Sequence, residues 1–171
     1  GRFNVYNSLC AIGIAIEAGI PLSVAAAGVG KTKEGDGRVN AIKFGSARIF
    51  IDFAHTEDGL RRVLTAARRI TKNKLYCVFG CGGNRDEGKR EKMGEAAAEL
   101  CDGIIVTSDN PRYENPLAII SAIESGIKTA KGVDYSIEPD RKQAIRAAVN
   151  KLTDGDVLVV AGKGAERYQE V

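Results

Sequence analysis

Histidine is almost absent from this chain. His55 is the only one among 171 residues, so no histidine-rich metal cluster can be assembled. Cysteine is sparse as well. Cys10, Cys77, Cys81 and Cys101 contain no CxxC pair, and Cys77 falls inside an apolar stretch. Reduced core thiols in a cytosolic protein are expected, and a catalytic thiol is not. No apolar run approaches the roughly 20 residues that span a membrane, and the amino terminus shows no apolar signal segment with a cleavage site. Charge of one sign is also lacking. Twenty-five basic residues against 22 acidic give a net +3, with no basic stripe interleaved with aromatics. Nucleic acid and membrane are therefore not expected partners. There is no internal repeat and no low-complexity tract.

What is present is a regular alternation. Asn7 to Ala18 has helical spacing and stops at Gly19, and Pro21 opens a short helix over Leu22–Ala27. Residues 30–37 are loop-like. Two strands follow, Arg38–Ile42 and Ala47–Phe53, joined through Phe44-Gly45-Ser46. From Asp52 the rhythm becomes β-α. Thr56 caps a helix running to about Ile70, with Glu57 and Asp58 in its first turn. Strands over 75–79, 103–107, 133–137 and 156–161 alternate with helices over 89–101, 116–126 and 140–150. Asn115 and Pro116 start the helix at 116. This pattern predicts an α/β fold, a Rossmann-like, mostly parallel sheet flanked by helices. The boundary with the preceding segment is placed near residue 52.

Chemistry concentrates where three apolar strands end. Ser108-Asp109-Asn110-Pro111-Arg112 follows Gly103-Ile104-Ile105-Val106-Thr107 directly. An acid, an amide and a guanidinium thus reach the carboxyl edge of a sheet, where ligands of open α/β folds bind. Both charge signs within four residues suit a zwitterion such as an amino acid; the plain alternative is an Asx-Pro turn. Upstream, Leu75–Phe79 runs into Gly80-Cys81-Gly82-Gly83-Asn84-Arg85. This is a poor dinucleotide fingerprint, because Arg85 stands where a third glycine belongs, and it reads better as a close turn presenting Arg85. Asp156–Ala161 ends in Gly162-Lys163-Gly164-Ala165-Glu166. Arg85 and Arg112 balance Asp109 and Glu166, a charge layout that matches a ligand with two ammonium and two carboxylate groups. Ala25–Thr32 fits a relaxed phosphate-loop pattern. It lacks the strand before and the helix after that such a loop needs, and it is set aside.

Taken together these residues resemble the Mur ligases, and within them the branch that adds the third residue of the peptidoglycan stem peptide. Phe3-Asn4-Val5-Tyr6-Asn7 is similar to the end of the family's central ATPase domain, and Gly37-Arg38 to its GR loop. Asp52-Phe53-Ala54-His55-Thr56 is similar to its DYAHTP motif, with Phe53 for Tyr and Glu57 for Pro. Phe79 to Arg90 is similar to FGCGGDRDxGKR, with Asn84 for Asp. Asp109 to Arg112 matches the DNPR of diaminopimelate-adding members, and Gly162 to Glu166 is similar to GKGHE, with Ala165 for His. The resemblance spans nearly the whole chain. It implies residues 1–51 as the end of the central ATP-binding domain and 52–171 as the C-terminal amino-acid-binding domain lacking its last helix. A chain that opens without methionine and closes just after a loop is expected to be a fragment of something larger.

The resemblance further implies an ATP-dependent ligase acting through an acyl phosphate. Its substrates would be a UDP-N-acetylmuramoyl (UDP-MurNAc) dipeptide and meso-diaminopimelate or a close analogue; lanthionine has the same charge layout. ATP and Mg2+ would be held mainly by parts of the full-length protein outside this chain, which as given is expected to be inactive. Arg85, Asp109, Asn110, Pro111, Arg112, Gly162 and Glu166 would form the amino-acid site. Asn7, Arg38 and Asp52 would face the nucleotide, and His55 would lie near the phosphates at the domain junction, a capping role at a hinge being the other reading. A cytoplasmic bacterial monomer is implied. Two alternatives stay open: a sister amide ligase of folylpolyglutamate or cyanophycin type, and an amino-acid-binding module without chemistry.

Overall fold

The computed structural model describes residues 2–32, 40–130, 132–166 and 168–170, with the side chains of 2–4 left aside. Two compact units result, Gly1–Glu34 and Gly35–Val171. The first is a pair of helices, α1 (Arg2–Glu17) and α2 (Leu22–Lys31). Gly19, at φ +83°, makes the turn between them. α2 runs three residues beyond Gly28, so Gly28, Gly30 and Lys31 are helical and form no phosphate cradle.

The second unit is a six-stranded sheet in the order β1-β2-β6-β3-β4-β5. Its strands are β1 (Asn40–Phe44), β2 (Ala47–Asp52), β3 (Leu75–Phe79), β4 (Gly103–Val106), β5 (Asp134–Ile137) and β6 (Val157–Ala161). β1 and β2 form an antiparallel hairpin around Gly45, and every other pairing is parallel. The hairpin corrects the boundary read near residue 52. β2 is paired to β6 from Arg48↔Val157 to Asp52↔Ala161, and Ala47, Ile49 and Phe50 are buried. These strands therefore belong with the sheet and not with the preceding helices. The period-2 pattern of a hairpin is local and cannot reveal a partner strand more than a hundred residues away.

The helices form for the reasons legible in the sequence. α3 (Glu57–Arg68) starts at Thr56, whose Oγ1 accepts from Gly59 N at 3.2 Å. α5 (Pro116–Ile127) starts at Asn115, which accepts from Leu117 N, with Pro116 at the first helical position. α6 (Arg141–Lys151) starts at Asp140, which accepts from Gln143 N. α4 (Lys89–Leu100) has no side-chain cap. Side-chain alternation along the strands feeds two cores. Leu75, Cys77, Phe79, Val106, Val157 and Val159 face α3, α4 and α5. Ile49, Val78, Ile105, Leu158 and Val160 face α6 through Ala144 and Ala148. Leu60 and Leu64 of α3 are fully buried, and truncating either to alanine is expected to cost about 2–5 kcal/mol.

Candidate functional site

The parallel strands β2, β3, β4 and β6 share a direction, so the loops after them open at one edge of the sheet. β6 inserts between β2 and β3, and Gly162 N donates to Asp52 O at 3.1 Å, closing the edge at its centre. Around this point the sequence-predicted residues gather.

Asp109, Asn110 and Pro111 are buried. Asp109 Oδ1 accepts from Asn110 N at 2.7 Å. Its Oδ2 lies so near Gly162 that a Cβ there would come within 2.8 Å, and Gly162 has φ +111°; only glycine fits on both counts. Asn110 Nδ2 donates to Glu166 Oε2 at 3.3 Å. The β3 loop is locked to the β4 loop: Gly83 N donates to Asn110 O at 2.8 Å, and a Cβ on Gly83 would sit 1.9 Å from Pro111 O. Two non-glycine residues in these loops adopt left-handed backbone, Asn84 at φ 51° and Arg112 at φ 53°. The loops brace both. Asn84 Oδ1 accepts from Tyr113 N at 3.0 Å, Asn84 N donates to Glu114 Oε1, and Arg112 Nη1 donates to Gly83 O at 2.9 Å. Backbone held in such sparsely populated conformations clusters at functional sites. Buried Arg90 ties the brace down, its Nη2 lying 2.9 and 2.8 Å from the two oxygens of Glu114.

The charge count read from the sequence is revised here. Asp109 and Glu166 do not simply wait for ammonium groups, nor does Arg112 wait for a carboxylate. Lys163, 8% exposed, stands among the acids. Its Nζ donates to Asn110 Oδ1 at 2.6 Å and Glu166 Oε2 at 3.2 Å, and lies 3.7 Å from Asp109 Oδ1. Arg112 Nε meets Glu170 Oε2 at 2.8 Å. Gln169 Nε2 donates to Asp109 O at 2.7 Å, and Glu170 N to Asn110 Oδ1 at 3.0 Å, so 169–170 lie against the β4 loop. Arg141, at the first position of α6, donates from Nη2 to Ala161 O at 2.9 Å. Its Nη1 is buried with no partner among the described residues. Burial pushes the Arg141 guanidinium down from its ordinary pKa, and Asp109 and Glu166 act against that.

The other predicted residues take different places. Arg85 is exposed on the 80–88 loop and makes no ion pair among the described residues. Asp52 ends β2, and its Oδ1 accepts from Ala54 N at 2.8 Å, turning the chain toward His55. His55 is exposed; its Nδ1 donates to Phe53 O at 2.9 Å, and its ring meets Phe53 edge-on. Lys89 Nζ donates to His55 O at 2.8 Å, tethering this turn to the start of α4. Asn7 is exposed on α1, in the other unit, and Arg38 lies outside the described residues. Cys77, Cys81 and Cys101 are buried as expected, whereas Cys10 is exposed and is no core thiol.

Lys163, Arg141 and Glu170 were missed in the sequence. For Lys163 a signal existed: a cation three residues before Glu166, between two glycines, directly after an apolar strand. Nothing local marked Arg141, one of two adjacent basic residues that open a helix.

Known proteins resemble this chain over nearly its whole length. The UDP-N-acetylmuramoyl-L-alanyl-D-glutamate–2,6-diaminopimelate ligase of Prochlorococcus marinus (strain NATL2A) is 47% identical over 99% of this chain and 34% of its own length. The ligase of the same name from Bacillus licheniformis is 44% identical over all of this chain and 35% of its own. A solved structure of a ligase of that name superposes with a TM-score of 0.75 at 39% identity, over 99% of this chain and 35% of that one. The chain thus spans about a third of the length of the curated relatives it matches. Residues 37–164 match the Mur ligase glutamate ligase domain, a stretch that holds the β3 and β4 loops and the β6 loop as far as Gly164. The chain belongs to the Mur ligase family.

Proposed function

We propose that this chain is the amino-acid-binding part of an ATP-dependent ligase that joins meso-diaminopimelate to UDP-MurNAc-L-Ala-D-Glu during peptidoglycan synthesis in the bacterial cytoplasm, as a monomer. One observation carries the reading. Asp109, Asn110, Arg112, Gly162 and Glu166, scattered over 58 residues of sequence, meet at one sheet edge in a chain whose relatives bear that ligase name. In the reaction the γ-phosphoryl group of ATP passes to the dipeptide carboxylate. The amine of the amino acid then attacks the acyl carbon, losing a proton as phosphate leaves.

The residues of this chain hold and orient the amine donor. Arg112 and Arg85 take its carboxylates, Arg112 through a planar fork. Glu166, with Asp109 behind it, supplies the negative field for an ammonium group. Gly162 leaves room for the Asp109 carboxylate to sit against the β6 loop. Holding donor and acyl group in register is the main catalytic contribution such a site can make. His55, exposed on the turn after β2, is assigned by the same reading to the phosphates and Asp52 to the nucleotide.

ATP and Mg2+ would be held mainly by other parts of the full-length protein. Among the described residues no cluster of His, Cys, Asp or Glu fits a metal, and Gly28 to Lys31 are helical. The open apolar surface of α1 and α2, with Val5, Tyr6, Leu9, Ile14, Leu22 and Val24 each more than half exposed, supports reading 1–34 as part of a larger central domain.

The test is phosphate release by the full-length enzyme carrying this sequence. Release is expected only with ATP, Mg2+, the UDP-linked dipeptide and diaminopimelate all present. Release that ignores diaminopimelate but responds to a folate and glutamate would overturn the proposal.

A further inference from the structure

We infer that Lys163 is a positioning residue of the amino-acid site, acting on the ligand through Asn110 and Glu166. The inference rests on the functional reading above. A lysine ammonium is a compact cation with three donors and no acceptor. Here its surroundings are three acceptors from two strand-end loops: Asn110 Oδ1 at 2.6 Å, Glu166 Oε2 at 3.2 Å and Asp109 Oδ1 at 3.7 Å. The Tyr168 ring lies 5.7 Å away on a further side. With its side chain 9% exposed, Lys163 has no room to serve solvent or a ligand directly.

Its effect is to sort the atoms of its neighbours. Asn110 Oδ1 is occupied by Lys163 Nζ and Glu170 N, so the amide can point only one way, with Nδ2 toward Glu166. Glu166 Oε2 is occupied by the same Nδ2 and by Lys163. Glu166 Oε1 and the second Nδ2 hydrogen are what remain to meet an ammonium and a carboxylate. Lys163 thus fixes which oxygen of Glu166 and which hydrogen of Asn110 face the ligand. It also offsets the charge of the two carboxylates it lies beside, Asp109 and Glu166. Without it Asn110 could flip and Glu166 could rotate, and the donor amine would lose its register with the acyl carbon.

The experiment uses the full-length ligase with Lys163→Met, which keeps the stem and removes the ammonium. The kcat/KM for meso-diaminopimelate is expected to fall by about 30-fold or more, while the KM for ATP and for the UDP-linked dipeptide stay within about twofold. In a Glu166→Gln background the same change is expected to cost under about fivefold, because its partner carboxylate is gone. Lys163→Arg, which keeps the charge but not the compact donor geometry, is expected to retain folding and fall in between. It stands in for the methionine variant if that one does not fold.

A diaminopimelate kcat/KM within about threefold of wild type in the variants, or an equal penalty on all three substrates, would overturn the inference, since a merely structural lysine would act that way. If the wild-type enzyme does not use diaminopimelate at all, the functional reading fails instead. The same comparison is then made with the amine it does use.

Discussion

Replacing Arg112 with alanine separates binding from folding. In the structure Arg112 loses little that the fold needs. Its φ of 53° is strained for arginine and alanine alike, so that cost cancels. One hydrogen bond to Gly83 O disappears, worth about 0.5–1.5 kcal/mol net. The pair with Glu170 also disappears, but the Glu170 side chain is 47% exposed and such pairs contribute at most about 1 kcal/mol. The total is about 1–2 kcal/mol, a fall in Tm of roughly 3–8 °C. The functional loss should be larger. A ligand carboxylate left facing no cation in a desolvated site typically costs about 2–5 kcal/mol. In the full-length enzyme the KM for diaminopimelate should therefore rise about 30-fold or more. Arg112→Lys should recover only part of this, for want of the bidentate fork. The KM for ATP should hardly move. Steady-state kinetics with each substrate varied in turn, beside a thermal melt, measures all of it. An unchanged diaminopimelate KM with weakened ATP binding would refute the assignment of this strand end to the amino acid.

Further outcomes follow from the same geometry. Gly83→Ala must move the backbone carbonyl of Pro111, which a Cβ would approach to 1.9 Å, and is expected to cost about 2–4 kcal/mol in a urea melt; a neutral result would mean the two loops are not locked. Asp156 is buried, which opposes its ionisation, but hydrogen bonds from Thr153 and Lys74 outweigh this and hold its carboxyl below the ordinary value. Its stabilising contribution is therefore full above the unfolded pKa of about 3.9 and lost as pH falls through the folded value, so Asp156→Asn should flatten the decline of the urea midpoint in that acid range. Burial pushes the Cys81 thiol up to about 11, with Lys89 and Arg90 acting the other way, so a thiol reagent should label Cys10 alone in the native 171-residue chain and all four cysteines in denaturant. Glu170→Gln removes a carboxylate that shares Arg112 with the ligand, and should lower the diaminopimelate KM by up to about fivefold; a rise would show that Glu170 instead holds Arg112 in place.

The elements were legible because each is specified locally. Thr56, Asn115 and Asp140 were placed at or beside the helix starts they cap, and the β-branched runs at 103–106 and 157–161 lie in the sheet. The strand ends were legible too, since Asp109 to Arg112 and Gly162 to Glu166 each follow an apolar strand without a break. What stayed hidden was pairing across the chain. Nothing near Ile49 says that it adds to β6, and so the unit boundary was set too late. Nothing near Lys163 says that Asn110, 53 residues earlier, takes its shortest bond. The ligand-facing charges were identified singly and their internal partners were not, because burial, which decides whether a charge faces solvent or another side chain, is a property of the assembled sheet edge.

The central claim is that the loops after β3, β4 and β6 recognise an amino acid through a second carboxylate. It is tested most directly by the ratio of kcat/KM for meso-diaminopimelate to that for L-lysine, which has the same chain without that group, in the full-length enzyme. A site whose polar groups are built for the missing group should reject lysine by a factor on the order of 10⁴. Comparable kcat/KM for the two amino acids would contradict it.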